Sequence, residues 1–328
     1  MFRGKKVLAA CLAVVAGSAG LGAGTASAQT TGSPGYSYQT VTISGSARSE
    51  INGVNASGAY AGDGLNSSYT DIRLFIASPS GRLTFYQLPF QDISTTTPFY
   101  ESAAGMDNAG DVVGFWTDTS GRSHGFERLA DGKITDINDP SASEVDNAGT
   151  VIEGMSADGR VIVGGYYDSS LALHGYLLDA GKFTTYDVPG ATGTELTFYD
   201  HGTYGGYYVS SSGAEFGFYV QNGHLHTVAA PGEANPPAGS GTELVAMGPG
   251  GTLYGNVFPA DRAIYAFSEC HGTYTTISDP SEVGTTDLDG TAANSASASG
   301  EVVGGYTYTN GTATVGGLVT SFIATPSR

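Results

Sequence analysis

GMDNAGDVVG, residues 105–114, runs a turn of Asp107, Asn108, Ala109 and Gly110 straight into two valines and a glycine, and residues 154–165 repeat it as GMSADGRVIVGG. Working outward from this pair, the pattern extends to a unit: a turn, a small-residue strand ending in glycine, a polar hairpin, a second strand, then a strand that starts after glycine and closes on proline. The clearest copies are GMDNAGDVVGFWTDTSGRSHGFERLADGKITDINDP (105–140) and GMSADGRVIVGGYYDSSLALHGYLLDAGKFTTYDVPG (154–190). Weaker copies span 198–232 and 246–280, and degenerate ones begin at Ile51 and Asn294. A fixed period of this kind marks a repeat architecture.

Two landmarks set the period independently. The anchor glycines are Gly62, Gly114, Gly164, Gly205, Gly255 and Gly304, and the closing prolines are Pro89, Pro140, Pro189, Pro231, Pro280 and Pro326. Both series step by 41–52 residues. That length suits four short strands with their turns, which is a propeller blade. Abundant glycine (50 residues), with no sustained helical periodicity beyond the N-terminus, agrees with short strands and tight turns. Tyr38–Ser44 resembles the closing strand of a unit yet precedes the first full copy, and the sixth copy lacks a clear final strand. The expectation is an all-β, six-bladed β-propeller closed by an N-terminal strand, which leaves no open sheet edge; a β-sandwich is the alternative.

The N-terminus reads as an address. Arg3, Lys5 and Lys6 precede an apolar run from Val7 to about Leu21, and Ala26–Ala28 offers a small-residue cleavage site. Residues 1–28 are therefore expected to be a signal peptide, 29–35 a flexible N-terminus and 36–328 a single domain, with the protein secreted to the periplasm or the extracellular space. Removing residues 1–28 takes the formal net charge from −18 to −21. Such a surface repels nucleic-acid phosphates. No second apolar run approaches the ~20 residues of a membrane span, and one remaining cysteine, Cys270, allows no intrachain disulfide. A monomer is expected.

The repeated motif, G-[IM]-[ND]-x-x-G, then V-V-G-x-[YF], H-G-[FY] and G-x-[FY]-T-T-[IY]-D-[VD]-P, resembles the HAF-repeat proteins that bacteria export. His124-Gly125-Phe126 and His174-Gly175-Tyr176 are the H-G-[FY] elements here, and later copies carry Phe216-Gly217-Phe218 and Tyr265-Ala266-Phe267. The resemblance covers nearly the whole chain after residue 28. It implies a secreted β-repeat fold and supplies no catalytic residues to carry over.

Several residue types could carry chemistry. Two residues after the anchor glycines stand Trp116, Tyr166, Tyr207, Val257 and Tyr306. In a closed propeller one repeat position recurs at one radius, so these aromatics are the candidate ligand-binding ring, able to stack on sugars; packing between blades is the competing reading. His224 and His226, two apart on one strand, share a face at a spacing that suits a metal or a general base, but no third ligand is identifiable. His124 and His174 share a repeat position, which favours a structural hydrogen bond. Arg122 and Arg262 are further candidates. GRSHG (121–125) matches the G-x-S-x-G of serine esterases but falls in a hairpin, where the strand-to-helix elbow is missing. Asp107, Asn108, Asp111, Asp158, Asp287 and Asp289 lie in glycine turns that could hold calcium, although Asx residues favour turns for backbone reasons alone. No cofactor or metal site is assigned. The expectation is a non-catalytic binding module for a glycan or an extracellular protein. The alternatives are a polysaccharide lyase or glycosidase with a central-funnel active site, and a structural surface or matrix protein.

Overall fold

The computed structural model describes residues 30–31, 35–66, 71–94, 101–260, 263–282, 290–308 and 318–327. They form a six-bladed β-propeller. Blade 1 comprises Arg48–Val54, Tyr60–Leu65, Ile72–Ala77 and Leu83–Tyr86; blade 2, Glu101–Met106, Val112–Thr117, Ser123–Arg128 and Ile134–Ile137. Blade 3 comprises Gly149–Met155, Val161–Tyr167, Leu173–Asp179 and Lys182–Tyr186; blade 4, Gly193–Asp200, Thr203–Val209, Glu215–Gln221 and His224–Val228. Blade 5 holds Gly241–Met247, Leu253–Phe258, Tyr265–Cys270 and Thr273–Ile277. Blade 6 takes Thr291–Ala296, Val302–Tyr308 and Leu318–Pro326 from the C-terminus and its fourth strand, Tyr36–Val41, from the N-terminus, with the two-residue strand Thr30–Thr31 paired outside it where a flexible N-terminus was expected. Each blade's first strand contacts that of the next, and blade 6 returns to blade 1, so the ring closes as expected.

One irregularity explains the anchor glycine. Every first strand carries a β-bulge, at Asn52, Ala104, Glu153, Thr197, Val245 and Asn294. A bulge bends its strand, and here a Cβ on the facing second strand would collide with a carbonyl oxygen two residues before the bulge: Glu50 for Gly62, Ser102 for Gly114, Val151 for Gly164, Glu195 for Gly206, Glu243 for Gly255 and Ala292 for Gly304. The third-strand aromatic of the H-G-[FY] position, Phe75, Phe126, Tyr176, Phe267 or Phe322, lays its ring edge or hydroxyl over the same glycine in five of the blades. The stretch repeats because each blade needs that pair.

This geometry corrects one register. In blade 4 the anchor is Gly206, opposite Leu196, and not Gly205. The repeat position of Trp116 and Tyr166 is therefore filled by Tyr208.

The closing prolines have a matching cause. Proline has no amide hydrogen and holds the preceding residue extended. The N–H of that preceding residue is donated to a threonine in the next blade's first strand: Asp139 to Thr150, Val188 to Thr194, Ala230 to Thr242 and Asp279 to Thr291, each at 2.9–3.0 Å. The core lies in layers between blades, in clusters that join Leu74 to Phe126, Val113 to Ile152, Val163 to Leu196 and Phe75 to Val303. Burying each such large apolar side chain stabilises the ring by roughly 1.5–3 kcal/mol before chain entropy is counted.

Candidate functional site

The bulge residues turn towards the ring axis, where Glu50, Asn52, Glu153, Thr197, Glu243 and Asn294 help to line a cavity of ≈ 50 Å³. Small-molecule pockets occupy roughly 300–1,000 Å³, so this space has room for only a few waters. Several of its polar side chains, Asn294, Thr197 and Asn256 among them, also hydrogen-bond across blade seams. Asn294 Nδ2 donates to Asn52 Oδ1 at 2.7 Å across the blade 6–1 seam, and Asn52 Nδ2 donates to Asp63. The Thr197 hydroxyl donates to the Leu244 carbonyl at 2.6 Å, while Asn256 exchanges two hydrogen bonds with the backbone of Ala293. A cavity of ≈ 50 Å³ is too small to seat a polysaccharide.

The second candidate is the face onto which the hairpins between second and third strands open, together with the crossovers from each outermost strand to the next blade. The four aromatics expected there as an open ring are buried, at 3–7 % exposure. Trp116 is sandwiched between Phe90 (4.9 Å) and His124 (4.3 Å), and its Nε1 donates to Asp136. Tyr166 lies under His174 at 5.0 Å. The Tyr306 hydroxyl bonds that of Thr40 on the closing strand. Tyr207, one residue out of register, points elsewhere and donates to the buried Glu195 carboxylate at 2.6 Å. Trp116 and Tyr166 are buried because a third-strand histidine stacks on each from the solvent side, whereas Tyr207 and Tyr306 are buried through their hydroxyl contacts with Glu195 and Thr40.

The surface platforms are those partners: His124 on Trp116, His174 on Tyr166 and Phe216 on Tyr208 (5.5 Å). The hairpins beside them are built alike. Asp118 Oδ1 accepts from the Ser120 and Arg122 amides and the Ser120 hydroxyl, and Asp168 Oδ1 does the same with Ser170 and Ala172. Arg122 Nε closes on Asp118 Oδ2 at 3.0 Å, with His124 Nε2 at 3.3 Å from the same oxygen. Burial works against the Asp118 charge, but Ser120, the Arg122 amide, His124 and the guanidinium outweigh it and hold the carboxyl far below its usual range. Asp168 is likewise held down to about 2, with Ser170 the main cause.

Charge is distributed unequally between the two faces of blades 2 and 3. Arg128, Lys133, Arg160 and Lys182 stand at hairpins of the opposite face among Asp107, Asp111, Asp131, Asp158 and Asp179, whereas the crossover face carries Asp118, Glu144, Asp146, Asp168 and Asp187 with Arg122 alone. Val145 and Leu171, the two most exposed large apolar side chains among the described residues, stand on that same face at 43 % and 45 %.

The remaining candidates are scattered. His224 and His226 lie on the exposed outermost strand of blade 4, His226 stacked on Tyr219 at 4.6 Å. Among the described residues no group of three or more His, Cys, Asp or Glu side chains is arranged to hold a metal ion. Asp107 caps its own turn, accepting from the Ala109, Gly110 and Asp111 amides at 2.8–2.9 Å, while Asn108 accepts from the Ala56 amide of blade 1. Arg262, Asp287, Asp289 and the segment 1–28 lie outside the described residues.

Sequence reasoning passed over Glu101. It opens the first strand of blade 2, where four other blades carry the hooking threonine, and is 9 % exposed. Burial first, then the Asp71 and Asp63 carboxylates, raise its pKa to about 7. A raised carboxyl favours the native state while protonated, so stability should fall as pH rises from about 4.5 through 7. Glu101→Gln removes that loss, and urea unfolding should find the variant close to wild type at pH 4.5 and more stable by roughly 3 kcal/mol at pH 8. A difference that does not change with pH would refute this assignment.

No family model matches the chain, and neither does any curated protein. Among solved structures, a variant of the Aleuria aurantia lectin in complex with Fucα1-6GlcNAc superposes with a TM-score of 0.51 at 14 % identity, covering 80 % of this chain and 88 % of that one. A triple-arginine mutant of AofleA from Arthrobotrys oligospora gives 0.50 at 12 % identity, covering 85 % and 89 %. At these identities the likeness is one of fold, and it agrees with the propeller traced above.

Proposed function

We propose that the chain is an exported, non-catalytic binding module of the HAF-repeat type whose crossover face recognises a neutral glycan. The observation that carries this reading is the threefold recurrence of a ring platform, His124, His174 and Phe216, at equivalent positions of blades 2–4. Beside the first two stand aspartate-capped hairpins. Flat rings suit the C–H face of a pyranose, while carboxylates, imidazoles and Arg122 suit its hydroxyls. Val145 and Leu171 add apolar surface on the same face. A similar fold serves the Aleuria aurantia lectin, which was captured with a fucosylated disaccharide.

The charge distribution argues against an acidic polysaccharide as the ligand. It weighs equally against a lyase, whose uronate substrate needs a cationic neutraliser; Arg122 is already engaged by Asp118. A glycosidase has one observation in its favour, the raised carboxyl of Glu101, which has the protonation state of a general acid near neutral pH. Calorimetric titration of residues 29–328 with neutral and acidic oligosaccharides, with the same samples assayed for new reducing ends, separates these readings. Saturable binding of a neutral member without products is expected. Products would transfer the protein to the enzymes, and the absence of binding across the panel would overturn the glycan reading.

A further inference from the structure

Both ring nitrogens of His174 face carboxylates that come from different elements. Nδ1 lies 2.9 Å from Oδ2 of Asp187, in the crossover that leaves blade 3 for blade 4, and Nε2 lies 3.5 Å from Oδ2 of Asp168, in the hairpin that precedes the third strand. Neither carboxylate can donate while ionised, so both nitrogens must. A neutral imidazole carries one N–H and can serve only one of the two partners. The arrangement is therefore complete only with an imidazolium at position 174.

We infer that His174 is a pH-sensitive clip that pins the blade 3 hairpin to the blade 3–4 crossover when protonated and lets one of them go when neutral. Among the described residues the charges that act on the ring are those of Asp187 and Asp168; Tyr166 of the second strand lies beneath it, and the Tyr166 hydroxyl is tied to Thr185 of the outermost strand. Partial burial lowers the imidazole pKa, but Asp187 and then Asp168 overcome it, and the net shift is upward. The sign follows directly. The clip contributes fully below the unfolded histidine pKa of about 6.5 and is lost as pH rises through the higher native value. On neutralisation, one carboxylate faces an imidazole lone pair, which favours separation.

Blade 2 provides an internal control. His124 occupies the same repeat position and meets Asp118, but the residue two before its closing proline is Asn138, where blade 3 has Asp187. Asn138 donates instead to Asp136. The clip thus belongs to blade 3, where it regulates the face on which the glycan reading rests. Its physical basis is independent of that reading, because the test uses ligand-free protein.

The test combines side-chain NMR titration of the histidines with amide hydrogen exchange, corrected for intrinsic rates, at Ala191 and Thr192 of the crossover. These amides are bonded to Val188 and Val209. In the wild type His174 should titrate above the free-imidazole value, Asp187→Asn should lower its midpoint, and crossover opening should increase across the wild-type midpoint. In His174→Gln that pH-linked increase should vanish. A His174 midpoint at or below the free value, or a crossover whose pH profile is the same in wild type and His174→Gln, would overturn the clip. A failed glycan screen would leave it standing.

Discussion

Gly164→Ala should destabilise the propeller by about 3–5 kcal/mol, the cost of forcing an atom into a filled, rigid site. A Cβ at this position collides with the Val151 carbonyl and comes within 3.0 Å of the Tyr176 hydroxyl, which itself donates to Val151. Neither neighbour can withdraw cheaply. The carbonyl is held by the bulge at Glu153, and Tyr176 is fully buried. The comparison that isolates this cause is Gly181→Ala in the hairpin between the third and fourth strands of the same blade. Gly181 has φ +77° and nothing near its would-be Cβ, so backbone strain alone should cost about 1–2 kcal/mol. Equal losses for the two variants in urea unfolding would mean that the anchor glycine is conserved within the repeat for conformational freedom and not for the close approach.

Deleting residues 30–41 should have the larger effect. Tyr36–Val41 pairs along its length with Leu318–Pro326, and Ser327 donates to the Gly35 carbonyl, so the two chain ends are stitched side by side. Tyr38, 1 % exposed, packs its ring 6.2 Å from that of Phe322 and receives the Ser278 amide at its hydroxyl. Removing the strand takes away these contacts and bares the last strand as a free edge. The expected loss exceeds about 5 kcal/mol, comparable with the whole stability of many domains, and the open edge should drive association. Transferring residues 35–43 to the C-terminus through a flexible linker should restore a cooperative unfolding transition. A deletion variant that unfolds like the wild type would contradict ring closure.

How far these features can be read from the chain differs between elements. Blade number and closure were legible because glycine and proline mark fixed points of every unit, and both now have a cause in the bulge carbonyl and the threonine hook. The hooks themselves were hidden. Thr194 follows its proline by five residues and Thr150 by ten, since the crossovers differ in length, and a partner at variable spacing leaves no periodic trace. Blade 4 misled through its adjacent glycines, Gly205 and Gly206. The hairpin spacing could have corrected it: Trp116 and Tyr166 precede Asp-x-Ser after one residue, and Tyr208, not Tyr207, precedes Ser210-x-Ser212 in the same way.

The proposed ring platforms were half legible. Position along the strand pointed to the end of each blade that the proposal uses, but period-2 alternation does not say which of two cross-strand rings covers the other. In blades 2 and 3 the structure buries the second-strand aromatic and leaves its third-strand histidine half-buried above it. Glu101 was invisible for a different reason: its raised pKa comes from burial against Asp63 and Asp71, which precede it by 38 and 30 residues in blade 1.

The most direct test of the functional account uses the single tryptophan. Trp116 lies directly beneath the His124 platform, so a sugar seated on that imidazole excludes water from the stack without touching the indole. Titration with the neutral oligosaccharide panel should produce a saturable change in Trp116 emission, without cleavage products. His124→Ala should weaken the apparent affinity about tenfold, equivalent to roughly 1.4 kcal/mol. An emission that stays flat across the panel, or a response that survives His124→Ala unchanged, would contradict the proposal that the crossover face binds glycans through its ring platforms.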